Sequence, residues 1–143
     1  MLVACDDGSL HHVSLSFSDE SSQGSFFFLE TKAASQEHED IITALDISQD
    51  GKKVITSSFD KTVVVLDVNT LRLEERLSDI HNEIISNVAA NRIDPNIIAT
   101  SANDGIAAVW DLRKKDQSLK GMDISDKCPV VINAGSTWIE IDK

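Results

Sequence analysis

Two histidine–aspartate pairs are the residues in this chain best suited to chemistry. His38 precedes Asp60 by 22 residues and His81 precedes Asp104 by 23, and a threonine falls inside each interval, Thr56 and Thr100. A histidine oriented by an aspartate can act as a general base, and a hydroxyl can be its nucleophile. A third feature is Trp110-Asp111, an aromatic beside a carboxylate near the end of the stretch SANDGIAAVWDLR. The other candidates are poorer. His11 and His12 are adjacent, and neighbours in a strand point to opposite faces, so they cannot easily share one metal. Cys5 and His12 fall in neighbouring strands of a hairpin with no evident third ligand, whereas a structural zinc site takes four. The six glycines make neither GxGxxG nor GxxxxGK[ST], and no GxSxG or HExxH occurs. The reading is of no catalytic, metal or cofactor-binding residue.

The elements that carry these residues are short and rich in β-branched side chains. KVITSSF (53–59) and TVVVLDV (62–68) flank Asp60-Lys61, a hairpin signal. IIATSA (97–102) and IAAVWDL (106–112) repeat the pattern across Asn103-Asp104-Gly105, and LVAC (2–5) and LHHVSLSF (10–17) across Asp6-Asp7-Gly8. Six residues beyond the turn aspartates Asp7, Asp60 and Asp104 stand Val13, Leu66 and Trp110. The turn-to-turn spacings are 53 and 44 residues. The second spacing is that of a four-stranded repeating unit of about 40–45 residues. The first is lengthened by SDESSQGS (18–25), which has the composition of a mobile surface loop. ITALDIS and SNVAAN are expected as inner strands, LEERL (73–77) and SFFFLE (25–30) as outer ones. The stretch NTLRLEERLSDIHNEII could be drawn as a helix, but its apolar spacing is imperfect and the repeat register favours a strand and a loop.

Composition narrows the class. The chain has 143 residues, a formal net charge of −11, 41% hydrophobic and 26% charged residues. A nucleic-acid binder shows a basic footprint; this chain shows the reverse, so no direct nucleic-acid binding is expected. An acidic surface suits basic protein tails. No stretch reaches the ~20 apolar residues of a membrane span, so no membrane partner is expected, and MLVACDDG has no signal-peptide pattern. Two distant cysteines, Cys5 and Cys128, argue for a reducing compartment. The chain opens directly on an apolar run and so has the look of a truncated piece.

A histidine before the first strand, a hydroxyl in the second, an aspartate in the turn and a tryptophan ending the third resemble the WD-repeat propeller family. The third unit matches fully, with His81, Thr100, Asp104 and Trp110, then Asp111. The second matches with His38, Thr56 and Asp60, but Leu66 replaces the tryptophan while Asp67 keeps the closing acid. The first keeps only Asp7. The resemblance implies that these side chains form a hydrogen-bonded network inside each blade, which makes His81 and Asp104 internal struts and Thr100 a buried hydroxyl. The expected fold is all-β: a partial propeller of four-stranded antiparallel blades in one domain (1–143), with a blade fragment at 1–30, blades at 38–77 and 81–121, and an incomplete blade or tail at 122–143. Trp138 is not at a repeat position. Three blades cannot close a ring, so sheet edges stay uncovered and poor solubility of the isolated chain is expected.

By that resemblance the function is non-enzymatic: a scaffold or adaptor for other proteins in cytoplasm and nucleus. The layout is most similar to methylosome propeller subunits. This implies an arginine methyltransferase and basic substrate proteins, histones and Sm proteins, as partners. The alternative is a substrate receptor of a cullin-type ubiquitin ligase, because Trp110-Asp111-Leu112-Arg113 resembles the box by which some propellers dock on the ligase adaptor; Arg113 would supply the contact. Phe26 and Phe28, in the apolar run FFFL, are candidate partner anchors.

Overall fold

The structure, a computed structural model, describes residues 1–20, 24–114 and 118–123. Its strands make three antiparallel sheets, each a meander in which consecutive strands are neighbours. The first sheet holds β1 (Leu2–Ala4), β2 (Ser9–Glu20) and β3 (Gly24–Gln36). The second holds β4 (Ile42–Ile47), β5 (Lys53–Ser58), β6 (Val63–Asp67) and β7 (Leu73–Leu77). The third holds β8 (Ile85–Ala90), β9 (Ile97–Ala102), β10 (Ile106–Asp111) and β11 (Ser118–Asp123). All-β topology follows from runs of β-branched residues of five or six, bounded by Asp/Gly/Asn turns.

The second sheet lies between the other two, and its sequence says why. Val54, Val64 and Leu66 pack with Leu10 of the first sheet. Ile55, Val63 and Val65 pack with Ile85, Val88 and Ile98 of the third. Alternate residues of β5 and β6 thus face opposite neighbours, so both faces are buried and the run VVVL is apolar without interruption. Burial of each such valine or leucine stabilises by about 1.5–3 kcal/mol.

The three inner turns are built alike. The turn aspartate caps the amide two residues on: Asp7 Oδ1 accepts from Ser9 N, Asp60 Oδ1 from Thr62 N and Asp104 Oδ1 from Ile106 N, each at 2.9 Å. The residue after each aspartate is left-handed: Gly8 at φ 82°, Lys61 at 68° and Gly105 at 78°. At Gly8 the absence of a side chain is needed twice over. A Cβ there would lie 2.6 Å from the His38 carbonyl oxygen and 2.9 Å from that of Asp40. The first hairpin therefore seats directly on the segment that carries His38.

Several strands run differently from the sequence reading. The segment expected as a loop, 18–25, is largely strand: β2 continues to Glu20 and β3 starts at Gly24, with 21–23 outside the described residues. β3 also continues past residue 30 to Gln36, pairing with β2 down to Ser9. Backbone pairing along a long hairpin overrode the polar composition. β11 was not anticipated; SLKGMD has no strand signature, and its pairing with β10 supplies the structure. The segment NTLRLEERLSDIHNEII, by contrast, forms the strand β7 and a loop, as the repeat register indicated. Residues 124–143, including Trp138 and most of the expected tail, lie outside the described residues.

Candidate functional site

The second and third sheets each bury one polar chain of side chains. In the second, β5 positions Thr56, the β5–β6 turn positions Asp60, and the segment leading to β4 brings His38 over both. His38 Nδ1 lies 2.9 Å from Asp60 Oδ2 and Nε2 lies 2.9 Å from Thr56 Oγ1. Asp60 Oδ2 also accepts from the Glu39 amide at 3.0 Å. In the third, His81 Nδ1 is 3.1 Å from Asp104 Oδ2, Nε2 is 2.7 Å from Thr100 Oγ1, and Asp104 Oδ2 accepts from Asn82 N at 3.0 Å. Trp110 Nε1 then donates to Thr100 Oγ1 at 2.8 Å, and its ring meets the imidazole edge-on at 6.3 Å.

The donor inventory fixes the direction of this chain. A carboxylate only accepts, so Nδ1 carries the ring proton and Nε2 is the acceptor. The threonine hydroxyl then gives its single proton to Nε2 and offers its lone pairs to the indole N–H. In the second sheet Leu66 stands where the indole would be and is buried in the apolar core, so Thr56 lacks that donor. At the other end of the network Thr62 adds a bond: its hydroxyl donates to Asp60 Oδ1 at 2.7 Å and lies 3.1 Å from His38 Nδ1. Sequence reasoning passed over Thr62; Ile106 takes its place in the third sheet, so no repeat pattern singled it out.

Electrostatics agree with a neutral strut. Burial pushes His38 below its ordinary value, against the opposing pull of Asp60. Burial alone would raise Asp60, but bonds from Thr62, the Glu39 amide and His38 outweigh it and hold its carboxyl below the usual range. The histidine side chains are 2% and 0% exposed, and both ring nitrogens of each are engaged. Neither imidazole can take a proton from a substrate without breaking its sheet's internal bonds.

Arg113 is 55% exposed and ion-paired within its own sheet's end. Its Nε and Nη2 grip Asp111 at 2.7 and 2.8 Å, and Nη2 reaches Asp94 at 3.1 Å. Asp111 is held below the ordinary carboxylate range chiefly by the Arg113 side chain. Asp67, the closing acid of the second sheet, has no arginine; it caps Thr70 and Asn69 amides at 2.8 and 3.0 Å. Phe28 is exposed on β3. The Phe26 side chain lies outside what the structure describes. His11 bonds Ser9 Oγ at 3.0 Å; among the described residues no three His, Cys, Asp or Glu side chains come together as a metal site.

Comparison with known proteins adds three findings. Residues 30–67 match the family model "WD domain, G-beta repeat", a span running from β3 through β6 that contains His38, Thr56, Asp60 and Asp67. WD repeat-containing protein 55 of Homo sapiens is 40% identical over 72 residues, 50% of this chain and 18% of that protein. Its homologue from Drosophila persimilis is 28% identical over 88 residues, 62% of this chain and 17% of the relative. The chain thus spans about a fifth of the curated relatives it matches, and those relatives are WD repeat-containing protein 55, not the methylosome propeller subunits that the repeat layout suggested. A chain in the crystal structure of a mitotic checkpoint complex superposes with a TM-score of 0.67 at 18% identity, covering 86% of this chain and 35% of that one. Residues 30–67 are thus similar to a WD40 repeat, and the antiparallel four-stranded sheets have the β-propeller fold.

Proposed function

We propose that the chain is a non-enzymatic scaffold whose blade rims and turns hold other proteins. The observation that carries this reading is the burial of both His–Asp–Thr chains: the residues capable of acid–base chemistry are spent on internal struts. What remains accessible is turn and strand-edge surface on a chain of net charge −11, which favours basic partners. A chain of similar fold is part of a multi-protein assembly, the mitotic checkpoint complex.

The finer reading is a methylosome-type subunit that engages an arginine methyltransferase and presents basic substrates such as histones or Sm proteins, in cytoplasm and nucleus. The acidity and the repeat layout support it. The ubiquitin-ligase alternative is less favoured, because the Arg113 fork is already gripped by Asp111 and Asp94. Affinity capture with the tagged protein, followed by blotting for the methyltransferase and for the ligase adaptor, separates the two. Recovery of the methyltransferase, unaffected by Arg113→Ala, is expected. Recovery of the adaptor alone, lost in Arg113→Ala, overturns the methylosome reading; recovery of neither removes both specific partners.

A further inference from the structure

The strands of the second and third sheets run between two ends, and the connectors at those ends carry opposite charge. One end holds 37–41, 59–62, 78–84 and 103–105, the connectors that bear both His–Asp pairs. They contain seven carboxylates, among them Glu39, Asp40, Asp79 and Glu83, against Lys61 alone. The other end holds 48–52, 68–72, 91–96 and 112–114. There the exposed cations Lys52, Arg72, Arg92, Arg113 and Lys114 meet only Asp50 and Asp94 among the described connector residues. A chain of net charge −11 thus keeps one cationic end. The sheets pack face to face, so a further sheet on either side would leave these strand-end connectors open to water.

The carboxylates at this end are committed to their own turns. Asp50 Oδ1 accepts from Ser48 Oγ at 2.7 Å and from the Lys52 amide at 3.2 Å. Asp94 Oδ1 accepts from the Asn96 amide at 3.0 Å, and its Oδ2 takes the Arg113 guanidinium. Asp67 and Asp111, the last residues of β6 and β10, cap amides of the following turns; counting both leaves the end positive. Neither Lys52 nor Arg72 has a carboxylate within ion-pair distance among the described residues. Their turns are stitched together: Val68 N donates to the Lys52 carbonyl at 2.8 Å and Asp67 N to that of Arg72 at 3.0 Å. Asn96 continues the surface to the third sheet, accepting from Lys53 Nζ at 3.4 Å and, at its carbonyl, from Leu112 N at 2.8 Å. Arg92 has one carboxylate near it, Asp46 at 3.7 Å, and its side chain is 72% exposed. Beside it Ile93 is 71% exposed, the most exposed large apolar side chain among the described residues.

We infer that this end docks a short acidic segment of a partner protein, its carboxylates on Lys52, Arg72 and Arg92 and an apolar side chain on Ile93. Charge selects this occupant. Guanidinium and ammonium groups that lack a carboxylate form charge-assisted bonds with one brought by a partner. A short segment meets the cationic end alone. Nucleic acid draws its affinity from many phosphate contacts, and a long polyanion here would overrun a few cations onto an acidic molecule. A second copy would have to offer its acidic end, where Asp60 and Asp104 are buried against histidines and Glu37 and Glu83 already have Arg76 and Lys61. The site rests on the scaffold reading and adds a second surface to it: basic partners belong to the acidic end, acidic ones to this end.

The test uses the full chain and fluorescein-labelled EDLEEIE, with KKLKKIK as the basic counterpart, followed by fluorescence anisotropy. Binding of the acidic peptide, weakened by added salt, is expected. Lys52→Gln combined with Arg72→Gln should weaken it at least about fivefold. Ile93→Ser, which leaves every charge in place, should weaken it at least about threefold and gives a second disruption should the double variant fail to fold. Lys61→Gln, the same loss of charge at the opposite end, should stay within about twofold of the parent. No binding of the acidic peptide, or unchanged binding in the disrupted variants, overturns the site. So does an equal loss in Lys61→Gln, which would reduce the attraction to net charge. A concentration-dependent dimer in sedimentation that the double variant abolishes, or a labelled oligothymidine bound more tightly than the peptide, overturns it as well. The basic peptide reads the scaffold proposal separately. Its binding should be untouched by the double variant, and its failure to bind while the acidic peptide binds would remove the basic-partner reading and leave this end standing.

Discussion

Replacing Thr100 by valine should destabilise the protein more than the same change at Thr56. Both residues are fully buried, on equivalent strands, and each hydroxyl donates to a histidine Nε2. Valine keeps the shape and the strand preference, so the change removes hydrogen bonds and little else. At Thr56 one buried acceptor, His38 Nε2, loses its donor, which costs about 1–3 kcal/mol. At Thr100 the same loss occurs at His81, whose side chain is 0% exposed, and the Trp110 indole N–H loses its acceptor as well. Trp110 is only half-buried, so water can partly replace that acceptor, and the added cost is about 1 kcal/mol. Thr100→Val should therefore cost about 2–4 kcal/mol, about 1 more than Thr56→Val. In urea unfolding followed by circular dichroism, with a slope of about 2 kcal/mol/M, the two midpoints should differ by about 0.5 M. Trp110→Phe supplies the internal check. In its background Thr100→Val should fall to the Thr56→Val value, a coupling of about 1 kcal/mol. Equal midpoints for the two valine variants, or no coupling with Trp110→Phe, would refute the directional chain from indole to hydroxyl to imidazole to carboxylate.

Other outcomes follow from the same geometry. Gly8→Ala should cost about 2–4 kcal/mol, because it adds a clash with two backbone carbonyls to a left-handed φ, whereas Gly51→Ala, with nothing near its Cβ, should cost about 1 kcal/mol; equal thermal shifts would contradict the seating of the first hairpin. Acid should destabilise the second sheet in two steps. His38 is lowered from 6.5, so the unfolded chain binds its proton first and stability declines as pH falls below about 6.5. Asp60 is lowered from 3.8, so its contribution is present above that value and disappears as pH falls through the lower folded one. Urea midpoints measured from pH 8 to 4 should flatten between 7 and 5 in His38→Gln, and an unchanged slope would count against a neutral buried imidazole. Arg113→Ala should let the Asp111 carboxyl titrate nearer its ordinary value in carbon-detected NMR, and Arg113→Lys should not restore it, since one ammonium cannot grip both oxygens.

How much was legible beforehand varied with the range of the interaction that decides each element. Strands β4, β5, β6, β9 and β10 announce themselves by β-branched runs between Asp/Gly turns, and the His38–Thr56–Asp60 and His81–Thr100–Asp104–Trp110 sets by spacings that differ by one residue. Thr62 was invisible because it serves one sheet only. β11 was invisible because its strand state comes from pairing with β10, not from its own residues.

The amino-acid sequence by itself determined the all-β class, the turn aspartates and the His–Asp intervals, because side-chain period, turn chemistry and donor–acceptor types are properties of residues close in the chain or repeated along it. Only the tertiary structure decided which sheet is buried on both faces, that Arg113 is held by Asp111 and Asp94, and that the polar segment after Phe17 continues as strand. It also decided that the single extra residue Lys32 turns Leu29 onto the face of Leu15. Those outcomes depend on which backbone groups find partners across the sheet, and a bulge of one residue moves whole faces without leaving a mark in composition or periodicity.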